Sequence, residues 1–223
     1  MNIAKQIGIA PGITALIGGG GKTSLLYRLA EDLKNSGTVL LCTTTRIFPP
    51  QHLPLYTGAE TKEKLLSHLK EGPLCLGCVR EDEKLGPALL TPWEMTQLAD
   101  FVLVEADGSA GLPLKAHAAH EPVIPDGCGQ VIALAGFTAF GKTVKEAAHR
   151  PALYAQQMNV REDEIVTPEL AGRFLQAEGL ADKVILNQMD DLAGLPQARR
   201  FAAKVSCPVW AGSIQKGELI CLC

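Results

Sequence analysis

The stretch that decides the fold is Ile13-Thr14-Ala15-Leu16-Ile17-Gly18-Gly19-Gly20-Gly21-Lys22-Thr23-Ser24-Leu25-Leu26-Tyr27-Arg28-Leu29-Ala30-Glu31-Asp32-Leu33. Ile13 to Ile17 is an apolar run of strand length. Leu25, Leu26, Leu29 and Leu33 then form one helical stripe. Four glycines join the two elements, where an anion is best received: glycine backbone turns its N–H groups inward, and a helix N-terminus adds partial positive charge. Lys22 is placed to reach the β- and γ-phosphates of a nucleotide, and the Thr23 hydroxyl, beside Ser24, to ligate Mg²⁺. Gly18, Gly19, Gly20, Gly21, Lys22, Thr23 and Ser24 are thus the expected phosphate-binding residues.

Outward from this unit, further apolar runs follow at Thr38 to Cys42, Leu74 to Val79, Phe101 to Glu105, Val131 to Ala135, Val184 to Leu186 and Pro208 to Ala211. Such continuous runs suit a sheet covered on both faces. Helical patterns lie between them at Thr61 to Lys70, Thr91 to Ala99, Thr167 to Ala177 and Leu195 to Val205. The alternation predicts an α/β fold with a doubly wound, mostly parallel sheet in a P-loop NTPase-like three-layer sandwich, as a single domain over 1–223. Gly108 to Gly129, rich in Gly, Pro and Ala, reads as a long mobile loop resembling a switch region.

The strict G-x-x-x-x-G-K-[ST] spacing is not met at Lys22, because Leu16 stands where the first glycine belongs. The loop is a shorter cradle similar to that of the Mur ligases. It also resembles the loops of the nitrogenase iron protein group, with Ile17 in place of that group's second lysine. Gly136-Phe137-Thr138-Ala139-Phe140-Gly141-Lys142-Thr143 does meet the strict pattern, but two phenylalanines crowd it and Pro151 follows soon after. It is read as a chance match.

A nucleotide site of this kind needs carboxylates at a neighbouring strand end. Phe101-Val102-Leu103-Val104-Glu105-Ala106-Asp107 provides two at alternate positions, so Glu105 and Asp107 point to one side. They are expected to hold Mg²⁺ and organise water. Cys42-Thr43-Thr44-Thr45-Arg46 ends the second strand; Thr44 is a candidate for the metal shell and Arg46 for clamping an anion. Asn187-Gln188-Met189-Asp190 resembles the N-K-x-D element that reads guanine, so Asn187 and Asp190 are candidate base contacts, with ATP or GTP as the nucleotide.

Composition bounds the rest. Of 223 residues, 47% are hydrophobic and 20% charged, with formal net charge -3. That excludes disorder, and the absence of a basic run argues against nucleic acid as partner. No run is long enough for a membrane helix and the first residues lack a signal-peptide core, so a cytoplasmic protein with no membrane partner is expected. Seven cysteines favour reduced thiols over a disulfide scaffold. Cys75-Leu76-Gly77-Cys78 and the Cys221-Leu222-Cys223 end lack the partners of a zinc site. His117 and His120, three apart and near Lys115, read as exposed loop residues, with one shared ligand as the alternative, and His149-Arg150-Pro151 as a site contact or a helix end stopped by proline.

Together, Ile17-Gly18-Gly19-Gly20-Gly21-Lys22-Thr23-Ser24, Thr43-Thr44-Thr45-Arg46, Val104-Glu105-Ala106-Asp107-Gly108-Ser109, Pro113-Leu114-Lys115, Glu121-Pro122-Val123-Ile124-Pro125 and His149-Arg150-Pro151 resemble the YqeC family over nearly the whole chain. The resemblance implies a P-loop nucleotide-binding accessory protein, acting in maturation of a selenium-dependent molybdenum hydroxylase. That enzyme or its cofactor-maturation proteins are the implied partners. The leading expectation is Mg²⁺-dependent nucleoside triphosphate hydrolysis driving a switch, with Lys22, Glu105, Asp107 and Arg46 as the catalytic set. The alternatives are an ATP-dependent ligase or kinase acting on a small acid or selenium species, and a docking protein that binds nucleotide without hydrolysis.

Overall fold

The computed structural model describes residues 2–50, 53–58, 62–80 and 83–222. Its centre is a nine-stranded sheet, here numbered β1 (Gly12–Gly18), β2 (Val39–Thr43), β3 (Leu55–Tyr56), β4 (Leu74–Leu76), β5 (Phe101–Glu105), β6 (Cys128–Gly136), β7 (Lys183–Asn187), β8 (Val209–Ser213) and β9 (Glu218–Cys221). The spatial order is β9-β8-β7-β6-β1-β5-β2-β4-β3. All neighbours run parallel except the last hairpin, β8 with β9. The helices are α1 (Ile3–Gln6), α2 (Lys22–Leu33), α3 (Lys62–Glu71), α4 (Pro92–Thr96), α5 (Val144–Ala147), α6 (Pro151–Met158), α7 (Pro168–Glu178) and α8 (Leu195–Ala202).

Strand alternation assigns the two faces. Leu16 of β1 joins Leu41, Leu103, Ile132 and the apolar stripe of α2 in one core. Ile13, Ala15 and Ile17 point the other way. Ile13 meets Leu65, Leu69 and Met95 of α3 and α4. Ala15 and Ile17 meet Tyr154, Phe174 and Phe201 of α6, α7 and α8. Helices on both faces of a mostly parallel sheet make an α/β sandwich, as the apolar runs require.

All seven anticipated strands are present, although the run from Leu74 to Val79 divides. Leu74–Leu76 stays in the main sheet, while Cys78–Val79 pairs with Leu85–Gly86 in a separate ribbon. Thr61 and Cys223 lie outside the described residues, so the anticipated start of α3 and the terminal cysteine pair receive no structural account. Gly108 to Gly129 differs from expectation. Leu114–Lys115 forms a short parallel pair with Ala148–His149, and residues 113–117 are buried. This stretch is held by packing and hydrogen bonds as well as by its glycine-rich turns. Pro151 opens α6 as its first helical residue, following Arg150 at φ 62, so of the two expectations for His149-Arg150-Pro151 the helix end stopped by proline is not what forms. Among the described residues no helix is long and apolar enough to cross a membrane.

Candidate functional site

β1 lies between β5 and β6, with β2 beyond one and β7 and β8 beyond the other, so the sheet order reverses at β1. Ligands of doubly wound sheets bind outside the carboxyl ends of the strands at such a reversal. Register brings the relevant residues to that edge: Leu16 pairs with Glu105, Gly18 with Leu134, Thr43 with Glu105, and Asn187 with Gly136.

The glycines are there because nothing larger fits. A Cβ on Gly18 would lie 2.3 Å from the Leu134 carbonyl oxygen, and one on Gly20 would lie 2.5 Å from the Gly136 nitrogen. Gly18, Gly20 and Gly21 also take φ of 92, 78 and 123, where L side chains are strained. Gly19 and Gly20 donate their N–H groups to the Leu134 and Leu112 carbonyls. Gly21 is the N-cap of α2 and offers no side-chain cap, so the first turn of a twelve-residue helix meets the strand edge with its amides leading.

Lys22 is buried. Its ammonium donates to the Gly18 carbonyl at 2.6 Å and to Ser109 Oγ at 3.2 Å, lies 2.9 Å from Asp107 Oδ1, and is 3.9 Å from Glu105 Oε1. Thr23 Oγ1 donates to Glu105 Oε2 at 2.8 Å. Asp107 is fully buried and stands at the centre of the network. Its Oδ2 accepts from the Gly18 N–H at 2.7 Å and meets His117 Nε2 at 2.5 Å, while Lys115 Nζ stands 3.8 Å away. His117 Nδ1 in turn sits 2.9 Å from both carboxylate oxygens of Glu178. Lys115 donates to the Gly108 carbonyl at 2.6 Å and pairs with Glu121 at 3.0 Å; Arg150 closes on the same Glu121 carboxylate. Three cations, Lys22, Lys115 and Arg150, together with the His117 ring, thereby face four carboxylates, Glu105, Asp107, Glu121 and Glu178.

Titration follows from these contacts. Burial pushes the Asp107 carboxyl up, but the His117 bond, the Lys22 and Lys115 charges and the Gly18 N–H outweigh it and leave Asp107 below its ordinary value. Burial lowers His117, yet two carboxylates, one on each ring nitrogen, hold it above its ordinary value. Burial raises Glu105 despite Lys22 and Thr23. Glu121, although raised by burial, is drawn down to about 2 by Arg150 and Lys115.

The anticipated residues divide into two groups. Gly18 to Thr23, Glu105, Asp107 and Asn187 converge. Asn187 is buried and acts as a brace: Nδ2 donates to the Gly20 carbonyl at 2.7 Å and Oδ1 accepts from the Ile214 N–H at 2.9 Å, which leaves its amide facing protein. Ser24 and Arg46 are exposed at the same edge. Thr44 turns its hydroxyl to the Val123 carbonyl at 2.8 Å. Asp190 is exposed beyond β7, and its backbone carbonyl accepts from Lys216.

At the Gly136–Thr143 motif, Phe137–Ala139 is a single 3-10 turn and Thr143 caps the four-residue α5 through a capping box with Glu146. No cradle forms there. His117 overturns its reading as an exposed loop residue, since Asp107 and Glu178 together draw it into the core; His120 is exposed. Sequence reasoning passed over Glu178, which sits at the last turn of α7 far along the chain and carries no local signal. Lys115 and Glu121 lie in stretches that carry the family resemblance, the one signal that could have drawn attention to them. Burial holds the thiols of Cys42 and Cys75 up at about 12, so these cysteines are neutral core groups. Among the described residues no cluster of three His, Cys, Asp or Glu side chains is arranged to hold a metal ion.

Residues 14–152, which contain the glycine loop, both carboxylates and the Lys115–Glu121–Arg150 cluster, match the family described as YqeC protein. The chain is also 35% identical over 155 residues to the Escherichia coli (strain K12) protein described as uncharacterized protein YqeC, an alignment covering 65% of this chain and 60% of that relative. The chain thus spans about 60% of the length of the curated relative it matches. By the family match over residues 14–152, which includes every loop residue from Gly18 to Thr23, and by this relative, the chain belongs to the YqeC family.

Proposed function

We propose that the protein binds a nucleoside triphosphate with Mg²⁺ at the Gly18–Thr23 loop and hydrolyses it. One observation carries this reading: four consecutive glycines, three with positive φ, deliver an uncapped twelve-residue helix and the buried Lys22 to the reversal point of a mostly parallel sheet. Lys22 is held by anionic and carbonyl oxygens, which a phosphate replaces with the same chemistry.

The donor set suits Mg²⁺, a hard cation that takes oxygen ligands and retains water. Thr23 Oγ1 and Glu105 Oε2, already 2.8 Å apart, would hold it. Asp107 Oδ2 is engaged by Gly18 and His117, and Oδ1, buried without a hydrogen-bond partner, faces Lys22 as an ion pair, so Asp107 positions Lys22 and the loop. When bound, the metal supplies charge neutralisation at the β- and γ-phosphates. The chain's own part is to orient the phosphates with the α2 amides, to place Lys22 on them, and to hold the attacking water near Glu105. Attack at the γ-phosphorus breaks its bond to the β–γ bridging oxygen and yields diphosphate nucleotide, inorganic phosphate and a proton.

The test is calorimetric titration with ATP and with GTP, with and without Mg²⁺, beside a phosphate-release assay, on wild type and Lys22→Ala. Binding and release by wild type alone support the reading. On the family resemblance we further propose a selenium-dependent molybdenum hydroxylase, or a protein that matures its cofactor, as partner; co-purification with the nucleotide-loaded chain tests it.

A further inference from the structure

Away from the glycine loop, the α3–α4 side of the sheet encloses a cavity of about 320 Å³. It exists because α4 is only five residues long, leaving β5 and the start of β1 to be covered by the non-helical stretch Val123 to Asp126. The floor is buried and apolar: Cys42, Met95, Val102 and Val104, with Cys42 Sγ 3.8 Å from Met95 Sδ. Ile124 and Pro125 form the roof, and Thr43 and Thr44 line the end at the strand edge. A half-open apolar cavity of this size with a few polar groups at one end is the usual form of a small-molecule site.

The lining specifies the ligand. Among the described residues no lysine, arginine or histidine lines the cavity, and the one carboxylate among them, Asp126, sits at the exposed rim. An anion finds no partner there, and a cation reaching the floor would be desolvated without one. Polarisable sulfur favours contact with rings. Thr44 donates its hydroxyl proton to the Val123 carbonyl, leaving its oxygen lone pairs to accept from a ligand N–H or O–H.

We propose that this cavity binds an uncharged, ring-containing small molecule, its apolar body on the Cys42, Met95 and Val104 floor and a donor group at Thr44. The roof is tied to the strand edge: the Val123 N–H donates to the Ala106 carbonyl, between Glu105 and Asp107. The inference goes beyond the nucleotide reading and does not rest on it.

The test uses two dyes of one skeleton, neutral N-phenyl-1-naphthylamine and anionic 1-anilinonaphthalene-8-sulfonate, titrated by fluorescence. Wild type is expected to bind the neutral dye saturably at one site, about tenfold or more tighter than the anionic one. Ala88→Trp, which fills the mouth, should lower that affinity about tenfold, with Ile124→Trp as a second cavity-filling variant. Leu89→Ser, on the exposed apolar surface outside the cavity, and Lys22→Ala should leave it unchanged. Equal binding of both dyes overturns the proposal on wild type alone. Loss in Leu89→Ser, or retention in a folded cavity-filled variant, overturns it as well. Dye binding kept in a Lys22→Ala protein that has lost nucleotide separates this site from the phosphate loop.

Discussion

Asp107 holds Lys22. The carboxylate, wholly buried, lies 2.9 Å from the ammonium and simultaneously accepts from the Gly18 N–H at 2.7 Å, so one side chain fixes both the loop's first residue and its lysine. Each is a buried charge held by several partners, of which the other is one. Asp107→Asn keeps the size but removes the charge. It is expected to destabilise the fold by about 3 kcal/mol in urea unfolding, since Lys22 and Lys115 lose their common anion.

Gly20 and Gly141 both have positive φ, but only Gly20 is crowded by backbone, with the Gly136 nitrogen 2.5 Å from an added Cβ and open space around Gly141. Gly141→Ala should cost about 1 kcal/mol of backbone strain. Gly20→Ala should cost more and abolish nucleotide binding, because backbone against backbone cannot yield. Thermal unfolding and calorimetry on the two variants check the contrast.

His117 has a raised folded value, set against burial by the hydrogen bonds and charges of Asp107 and Glu178. Its stabilising contribution is complete below the ordinary histidine value of about 6.5 and is lost as the pH rises through the folded value. Asp107, lowered, contributes above its ordinary carboxylate value and loses that contribution as the pH falls through the folded one. Urea midpoints of wild type should fall as the pH rises above about 6.5, and His117→Gln should flatten that decline. A decline unchanged in the variant contradicts the assignment.

Asn187 and Asp190 separate bracing from recognition. Asn187→Ala leaves the buried Gly20 carbonyl and Ile214 N–H without partners, which should cost about 1–3 kcal/mol and weaken binding of ATP and GTP alike. Asp190 is exposed, so Asp190→Ala should leave stability within about 0.5 kcal/mol. A GTP preference lost in that variant would place the base beyond β7.

The sheet was readable from sequence because its inner strands are buried on both faces and so read as unbroken apolar runs. The Gly18–Thr23 turn was readable because the glycines, lysine and helix stripe are contiguous. Paired carboxylates two apart at the exit of β5 were also visible. The His117–Glu178 contact was not, since it joins side chains 61 positions apart and depends on how α7 packs. His149-Arg150-Pro151 stayed open between a site contact and a helix end, because proline is equally at home stopping one helix and opening the next. Asn187 was found as a residue, but its role as a brace follows only from register with Gly136.

The central claim is that the Gly18–Thr23 loop receives phosphate through Lys22, and the most direct measurement is Mg²⁺-dependent titration of ATP and GTP by calorimetry on wild type, Lys22→Ala and Lys142→Ala. The account predicts binding by wild type and by Lys142→Ala, and none by Lys22→Ala in a protein that is still folded. Binding that survives in Lys22→Ala and disappears in Lys142→Ala would contradict it and move the site to Gly136–Thr143.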